Sequence, residues 1–234
     1  MDMPLYYTDI WYFILVIPAL IISLVAQSRV KSTYKKFSSV PNSRGITGAM
    51  AAQMVLSFYG ISDVMIQPIA GSLTDNYNPS KKVISLSQGV YNSNSVAAIG
   101  IACHEAGHAA QHAENYLPNQ IRTKLVPVCN IGSTIGLPIA IIGVILGLTN
   151  VIYLGLALYG LVFLFSLVTL PVEFNASMRA IKVIEETGML FGEEVDSAKK
   201  VLRTAAMTYV ASMLTALANL LRFVIRFLGS SKRR

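Results

Sequence analysis

The stretch His104-Glu105-Ala106-Gly107-His108 sets two imidazoles four residues apart with a carboxylate between them. On a helix, positions i and i+4 share a face, so both rings can address one ion. Glu105, one residue along, is placed to reach a water on that ion rather than the ion itself. Zinc takes such nitrogen ligands, and a catalytic site keeps a position open for water. The metal lowers the pKa of that water towards about 7, where Glu105 can accept its proton. The chain has three histidines, and two of them lie in this motif. The run before it, Val96–Cys103, is apolar and predicts a largely buried helix. A buried His-Glu-His cluster without an ion would leave several polar groups unsatisfied.

Such a site needs a third ligand. His112 continues the series at i+8, but a straight helix carries it roughly 12 Å along the axis from His104, too far to share one ion. A chain reversal at a glycine would solve this, and Ala109-Ala110-Gln111 offers none. His112 therefore reads as a helix-face residue or as support behind a ligand. Acids are sparse: between Glu114 and Glu185 there is one, Glu173, at the end of an apolar block. A carboxylate at a membrane boundary is costly if idle, which makes Glu173 the candidate; the plainer alternative is pairing with Arg179 or solvation at a helix end. Arg179, Tyr91 and Asn175 are candidates to stabilise a developing oxyanion, with core or capping roles as the alternative for each.

The elements that must position these residues can be read from composition. The chain has 234 residues, net charge +7, 53% hydrophobic and 13% charged residues, with mean hydropathy +0.54. A soluble domain carries about 25% charge, which rules out a disordered chain and argues against an ordinary soluble enzyme. In so apolar a chain the basic balance fits positive charge held beside a membrane, not nucleic acid. Two cysteines, Cys103 and Cys129, are too few for a disulfide framework and point to a reducing compartment. Cys103 reads as a small buried residue.

Apolar residues fall in blocks. Ile10–Ala26 is uncharged and comes after Asp2 and Asp9 with no Lys or Arg, which fits a retained anchor better than a signal peptide. Leu125–Leu148 and Val151–Val172 read as a transmembrane hairpin, with Gly143 and Gly147 as a weak close-packing signal. Ala205–Leu228 carries a polar stripe of Thr204, Thr208, Ser212, Thr215, Asn219, Arg222 and Arg226, and either spans or lies in the interface. Arg29, Lys31, Lys35, Lys36 and Arg44 assign the hydrophilic segment after the first block to the cytoplasm. By the same rule Lys232, Arg233 and Arg234 argue against a spanning last block.

In the hydrophilic part, Thr47–Phe58 predicts a helix ended by Gly60, and Val64–Ile69 and Val83–Ser87 predict strands. A turn at Asn76–Pro79 and a helix over Ser95–Ala113 complete it. The strand at Val83–Ser87 could bind an extended substrate by edge pairing. The expected class is an α+β, mostly helical membrane protein with three to four transmembrane helices and a small cytoplasmic zincin-like catalytic part. Its expected divisions are an anchor (1–28), a cytoplasmic catalytic region (29–124), a hairpin (125–172), a cytoplasmic segment with the third ligand (173–204) and a C-terminal amphipathic or transmembrane helix with a basic tail (205–234).

His104–Gln111 (HEAGHAAQ), the preceding run from Leu73 to Cys103 and the later Pro171–Ala180 (PVEFNASMRA) resemble the YugP-type membrane zinc metallopeptidases over nearly the whole chain. The resemblance implies a gluzincin-like site: His104 and His108 as ligands, Glu105 as base, Glu173 as third ligand of one catalytic Zn²⁺. The E-F-x-A core is also similar to the HtpX-type membrane proteases. The turn Asp75-Asn76-Tyr77-Asn78-Pro79 departs from the family's usual D-H-Y-D-P. The implied activity is hydrolysis of membrane or membrane-near polypeptides in a bacterial cell membrane. Its implied partners are a polypeptide substrate and the lipid bilayer, with room for a membrane-protein partner or a homo-oligomer. The other classes are a divalent-ion transporter, which would need acids within several spans, and a non-catalytic scaffold around a structural zinc, which would usually have four protein ligands.

Overall fold

The structure, a computed structural model, describes residues 10–231. Asp2, Asp9 and the tail Lys232, Arg233 and Arg234 lie outside the described residues, as does the side chain of Arg226. A π-helical start at Tyr12–Val16 leads into α1 (Ile17–Phe37), followed by α2 (Gly48–Phe58), β1 (Met65–Ile69), β2 (Asn76–Asn78), β3 (Val83–Ser87), α3 (Gln88–Tyr91), α4 (Val96–Ala113), α5 (Leu117–Ile145), α6 (Thr149–Glu186) and α7 (Glu193–Ser231). The chain is mostly helical. Four of these helices are long and apolar enough to cross a bilayer: Tyr12–Phe37, Leu117–Gly143, Thr149–Glu186 and Glu193–Ile225. The last block thus qualifies by length and composition.

Contacts divide the chain into two units, Ala26–Thr123 with Val168–Tyr209 and the remainder of the described chain. In the first, short polar side chains set the helix starts. Thr47 Oγ1 accepts the Met50 N–H at 3.3 Å and opens α2; Ser95 Oγ accepts the Ala98 N–H at 3.2 Å and opens α4. Such caps satisfy donors that the first helical turn leaves without partners. Glu194 accepts the Ser43 N–H at 2.7 Å and the Phe191 N–H at 3.2 Å, tying the start of α7 to the loop before α2.

The three strands form one sheet in the order β1-β3-β2, with β1 parallel and β2 antiparallel to β3. Two expectations change here. Asn76–Asn78 is strand, pairing Tyr77 with Ile84, and the turn falls on the residues just after it. The Asn78 side chain accepts the Lys81 N–H at 3.0 Å, so the asparagine closes the turn while its own backbone stays extended. β3 is also the central strand, paired with β1 along its whole length and with β2 over Val83–Ser85, so edge pairing by an extended ligand is closed over those residues.

The core of this unit joins α2, β3 and α4 to the ends of α6 and α7. Val55, Leu56, Ile84, Leu86, Ile99, Ala102, Ala106, Val183 and Ile184 are all fully buried in it. α4 is rich in small residues for a reason of distance. A Cβ at Gly107 would lie 2.7 Å from the Ala176 carbonyl oxygen on α6. At Gly100 a Cβ would meet Ala198 at an ordinary 3.7 Å. The middle of the metal motif is therefore where α4 and α6 come backbone to backbone.

In the second unit, α5 and α6 pack through small residues. A Cβ at Gly132 would lie 2.6 Å from the Leu158 carbonyl oxygen, and one at Gly143 would lie 2.7 Å from the Ile152 nitrogen. Gly147, the other half of the expected pair, instead has φ +67 between the two helices and serves the turn. Gly143 packs with the earlier glycines Gly132 and Gly136 rather than with Gly147. The polar stripe of α7 is largely satisfied on its own helix: Thr204, Thr208 and Thr215 donate to the carbonyls of Lys200, Ala205 and Ala211. Asn219 donates to Thr215. Internal bonds of this kind let polar residues sit in an apolar environment.

Gly107→Ala should force α4 and α6 apart against backbone rather than a yielding side chain, costing about 1–3 kcal/mol of stability. A lower unfolding temperature in detergent with reduced zinc content is the expected result; a Gly100→Ala control should be close to neutral.

Candidate metal centre

α4 brings His104 and His108 to one face, and α6 delivers Glu173 to them. The ligand atoms of these three side chains all lie within 4.8 Å of one another. His104 Nε2 stands 3.2 Å from Glu173 Oε2, and His108 Nε2 stands 3.5 Å from the same oxygen. A tetrahedral zinc holds nitrogen and oxygen ligands at about 2.0–2.1 Å, which separates ligand pairs by about 3.3–3.4 Å. The donor types and both spacings fit such an ion.

Glu173 is 1% exposed. A buried carboxylate without partners would be strongly disfavoured. Its two oxygens have separate work: Oε2 faces the histidines, while Oε1 lies 3.3 Å from Arg122 Nη1 on α5. Tyr209 of α7 lines the same cavity as Glu173. Arg122 thereby leaves one oxygen for a metal.

The tautomer of His108 can be read from its neighbours. The Val172 carbonyl can only accept, so the atom 2.7 Å from it must be the Gln111 amide nitrogen. The other amide atom, Oε1, is then the one 3.0 Å from His108 Nδ1, and Nδ1 must donate to it. That leaves the Nε2 lone pair of His108 aimed at Glu173 and at any ion beside it. Behind Gln111 the chain of bonds continues. Its Nε2 also donates to Asn175 Oδ1 at 3.0 Å, which accepts from Arg179 Nε at 2.8 Å. Arg179 in turn pairs with Glu114 at 2.6 Å. On the other ring, Ser177 Oγ lies 3.1 Å from His104 Nδ1 and orients that ring through a hydroxyl able to donate or accept. Partners of this kind orient metal-binding histidines and raise their basicity.

Burial raises the Glu105 carboxyl above the usual carboxylate range, with the neighbouring histidines opposing the shift. For His108, burial alone would lower the pKa; the Glu173 hydrogen bond and the Glu105 charge outweigh it and hold it above the ordinary value of 6.5. His104, Glu105 and Glu173 open on one cavity, together with Asp75, Ser177 and Tyr209. Asp75 is already engaged, accepting the Ser87 N–H at 2.7 Å and the Ser87 hydroxyl.

The remaining sequence candidates stand elsewhere. His112 Nδ1 lies 2.8 Å from the Tyr77 hydroxyl, whose pKa burial pushes up to about 12. Arg179 and Asn175 belong to the bonded chain behind His108 and do not line the cavity. Tyr91, on the short α3, packs against the core. Cys103 packs its sulfur 3.8 Å from that of Met189, away from the ligands. Sequence reasoning passed over four residues of the site. Gln111 lies three residues after His108 and Ser177 four after Glu173, so helix periodicity carried a signal for both. Arg122 reaches Glu173, and Tyr209 the cavity, from other helices, and no spacing marks them.

A membrane-helix chain with a His-His-Glu cluster of zinc-like spacing defines the class, and comparison with known proteins agrees. The chain belongs to the family described as "Putative neutral zinc metallopeptidase", whose model matches residues 12–228. It is 44% identical over 218 residues to the "Putative membrane protease YugP" of Bacillus subtilis (strain 168), covering 93% of this chain and 97% of that relative. No solved structure matches it.

Gln111→Leu would strip His108 of its acceptor and leave Val172 and Asn175 short of a donor. Zinc affinity should fall by about 10–100-fold, read by titration against a competing chelator. Metal binding needs neutral imidazoles, and His108 in the metal-free chain holds its proton above 6.5. Zinc affinity should therefore weaken on acidification, beginning above that value; retention that is flat from about pH 8 to pH 6 would contradict the assignment.

Proposed function

We propose that this protein is a zinc-dependent endopeptidase of the membrane, with His104, His108 and Glu173 as metal ligands and Glu105 as general base. The observation that carries the reading is the convergence of His104 Nε2 and His108 Nε2 on Glu173 Oε2, at 3.2 and 3.5 Å, beside a cavity that His104, Glu105 and Glu173 line. Three protein ligands leave a coordination position for water or a peptide carbonyl, as a catalytic zinc requires.

Zinc bound there supplies Lewis-acid polarisation of the scissile carbonyl and makes a water acidic enough to ionise near neutral pH. The protein's own groups do the rest. Glu105, made more basic by burial, accepts the proton of the attacking water and returns it to the departing amine nitrogen. Gln111 keeps the His108 imidazole in the tautomer that presents Nε2, and Ser177 orients the His104 ring. Arg122 neutralises the second oxygen of Glu173 and holds its carboxylate in one orientation. The Tyr209 hydroxyl, on the same cavity, is a donor for negative charge developing on the carbonyl oxygen.

Four helices able to cross a bilayer point to substrates that are membrane-borne or close to the membrane. The cluster Arg29, Lys31, Lys35 and Lys36 on α1 with Arg44 supports a cytoplasmic site by the positive-inside rule.

Glu105→Gln should keep zinc at the wild-type level and lower peptide cleavage by about 100-fold or more. Glu173→Ala should lose zinc at a chelator concentration that the wild type withstands. The two are read together by metal analysis and cleavage of a peptide library by the purified protein. Cleavage that survives in the Glu105 variant sinks the mechanism, and full zinc occupancy with no cleavage in the wild type would favour a scaffold built round the metal.

A further inference from the structure

The cavity that opens on His104, Glu105 and Glu173 is lined by polar groups, among them Tyr34, Asp75, Ser177 and Tyr209, and by a set of apolar side chains. The apolar side chains are Val30 on α1, Leu73 before β2, Ile101 on α4, and Val201, Leu202, Ala205 and Ala206 on α7. Val201 and Leu202 are themselves buried, and the tie of Glu194 to Ser43 and Phe191 fixes the start of the helix that carries them. We propose that this apolar part is a specificity pocket that takes one aliphatic or single-ring side chain next to the peptide bond being cleaved. The proposal rests on the peptidase reading above and names the substrate class for it.

Three observations converge on that occupant. The first is size: the cavity measures about 160 Å³, close to the roughly 150 Å³ of an apolar cavity that admits benzene. That volume also takes in the space beside His104, Glu105 and Glu173, so the apolar part has room for one aliphatic or single-ring side chain and none for an indole. Charge is the second. No lysine or arginine lines the cavity among the described residues, and its three acids are Asp75, Glu105 and Glu173. An acidic side chain would be stripped of water and repelled. Asp75 accepts from Ser87 and still carries its charge, so cleavage beside lysine or arginine in preference to leucine would overturn the apolar occupant. Continuity is the third. Ile101 stands one turn before His104 and Glu105 on α4, so a group seated against Ile101 is one side-chain length from the ligand cluster. Burying a side chain there would use apolar contact to set the scissile carbonyl in register with Glu105.

The floor of the pocket is small because of two alanines. Ala205 is half-buried and Ala206 is buried at 4% exposure, while their neighbours Val201 and Leu202 lie one turn earlier on the same face of α7. Enlarging Ala205 should therefore shallow the pocket, and trimming Val201 should deepen it.

The test uses the full chain, zinc-loaded, in lipid nanodiscs. Calorimetry compares leucine hydroxamate with glycine hydroxamate, two metal-directed ligands that differ in one side chain. Leucine hydroxamate should bind about 10-fold tighter or more. Ala205→Leu should bring the ratio close to one, and Val201→Ala should shift preference towards phenylalanine hydroxamate. Both variants are checked for wild-type zinc content, so that misfolding shows as lost metal. A peptide library should show the same order, with leucine, methionine and phenylalanine favoured and aspartate and glutamate rejected beside the cleaved bond. Equal affinity for the two hydroxamates, no binding of either, or a ratio unmoved in both variants would overturn the pocket while leaving any zinc-dependent cleavage intact. A leucine preference in a zinc-loaded protein that cleaves nothing would instead keep the pocket and remove the peptidase.

Discussion

Everything at the metal centre depends on how closely α4 and α6 approach each other. At Gly107 there is no room for a Cβ before the Ala176 carbonyl oxygen. One turn further on, Gln111 donates across the same seam to the Val172 carbonyl. The seam does two things at once. It sets Glu173 against the two histidines, and it converts a backbone carbonyl of α6 into the reference point that decides which nitrogen of His108 is free. Packing and protonation are thus linked through one buried glutamine.

The site also shows how a carboxylate is kept charged in a buried place beside an apolar helix. Glu173 comes after a long uncharged run of α6 and is almost completely enclosed. Two histidines on one side and Arg122 on the other replace the water it has lost. Removing one partner from such a group costs more than the pair contributes, because the remaining charge stays buried. That asymmetry explains why the carboxylate is surrounded on both oxygens, and why three separate helices, α4, α5 and α6, meet there.

The rest of the unit supplies position. Short caps at Thr47 and Ser95 start α2 and α4 where the core needs them. The sheet gives its central strand, β3, to the core. α7 contributes an apolar wall below the ligand cluster and Tyr209 beside it. The proposed chemistry and selectivity therefore share one cavity, with α4 and α7 contributing side chains to both.

The spacing of His104 and His108 determined a shared helix face, because 3.6 residues per turn leaves no other outcome for i and i+4. Scarcity singled out Glu173 without any fold, since so apolar a stretch had one acid to offer. Block lengths marked the long helices, and alternation marked β1 and β3. Other features were beyond local reasoning. Whether Asn76–Asn78 turned or extended was decided by pairing with β3, a contact between segments. Which glycines pack was decided by helix register across α5 and α6, so Gly132 mattered where Gly147 did not. The convergence of Arg122 on Glu173 and of Tyr209 on the cavity was set by tertiary structure alone, because a one-dimensional spacing carries no information about which faces of separate helices meet.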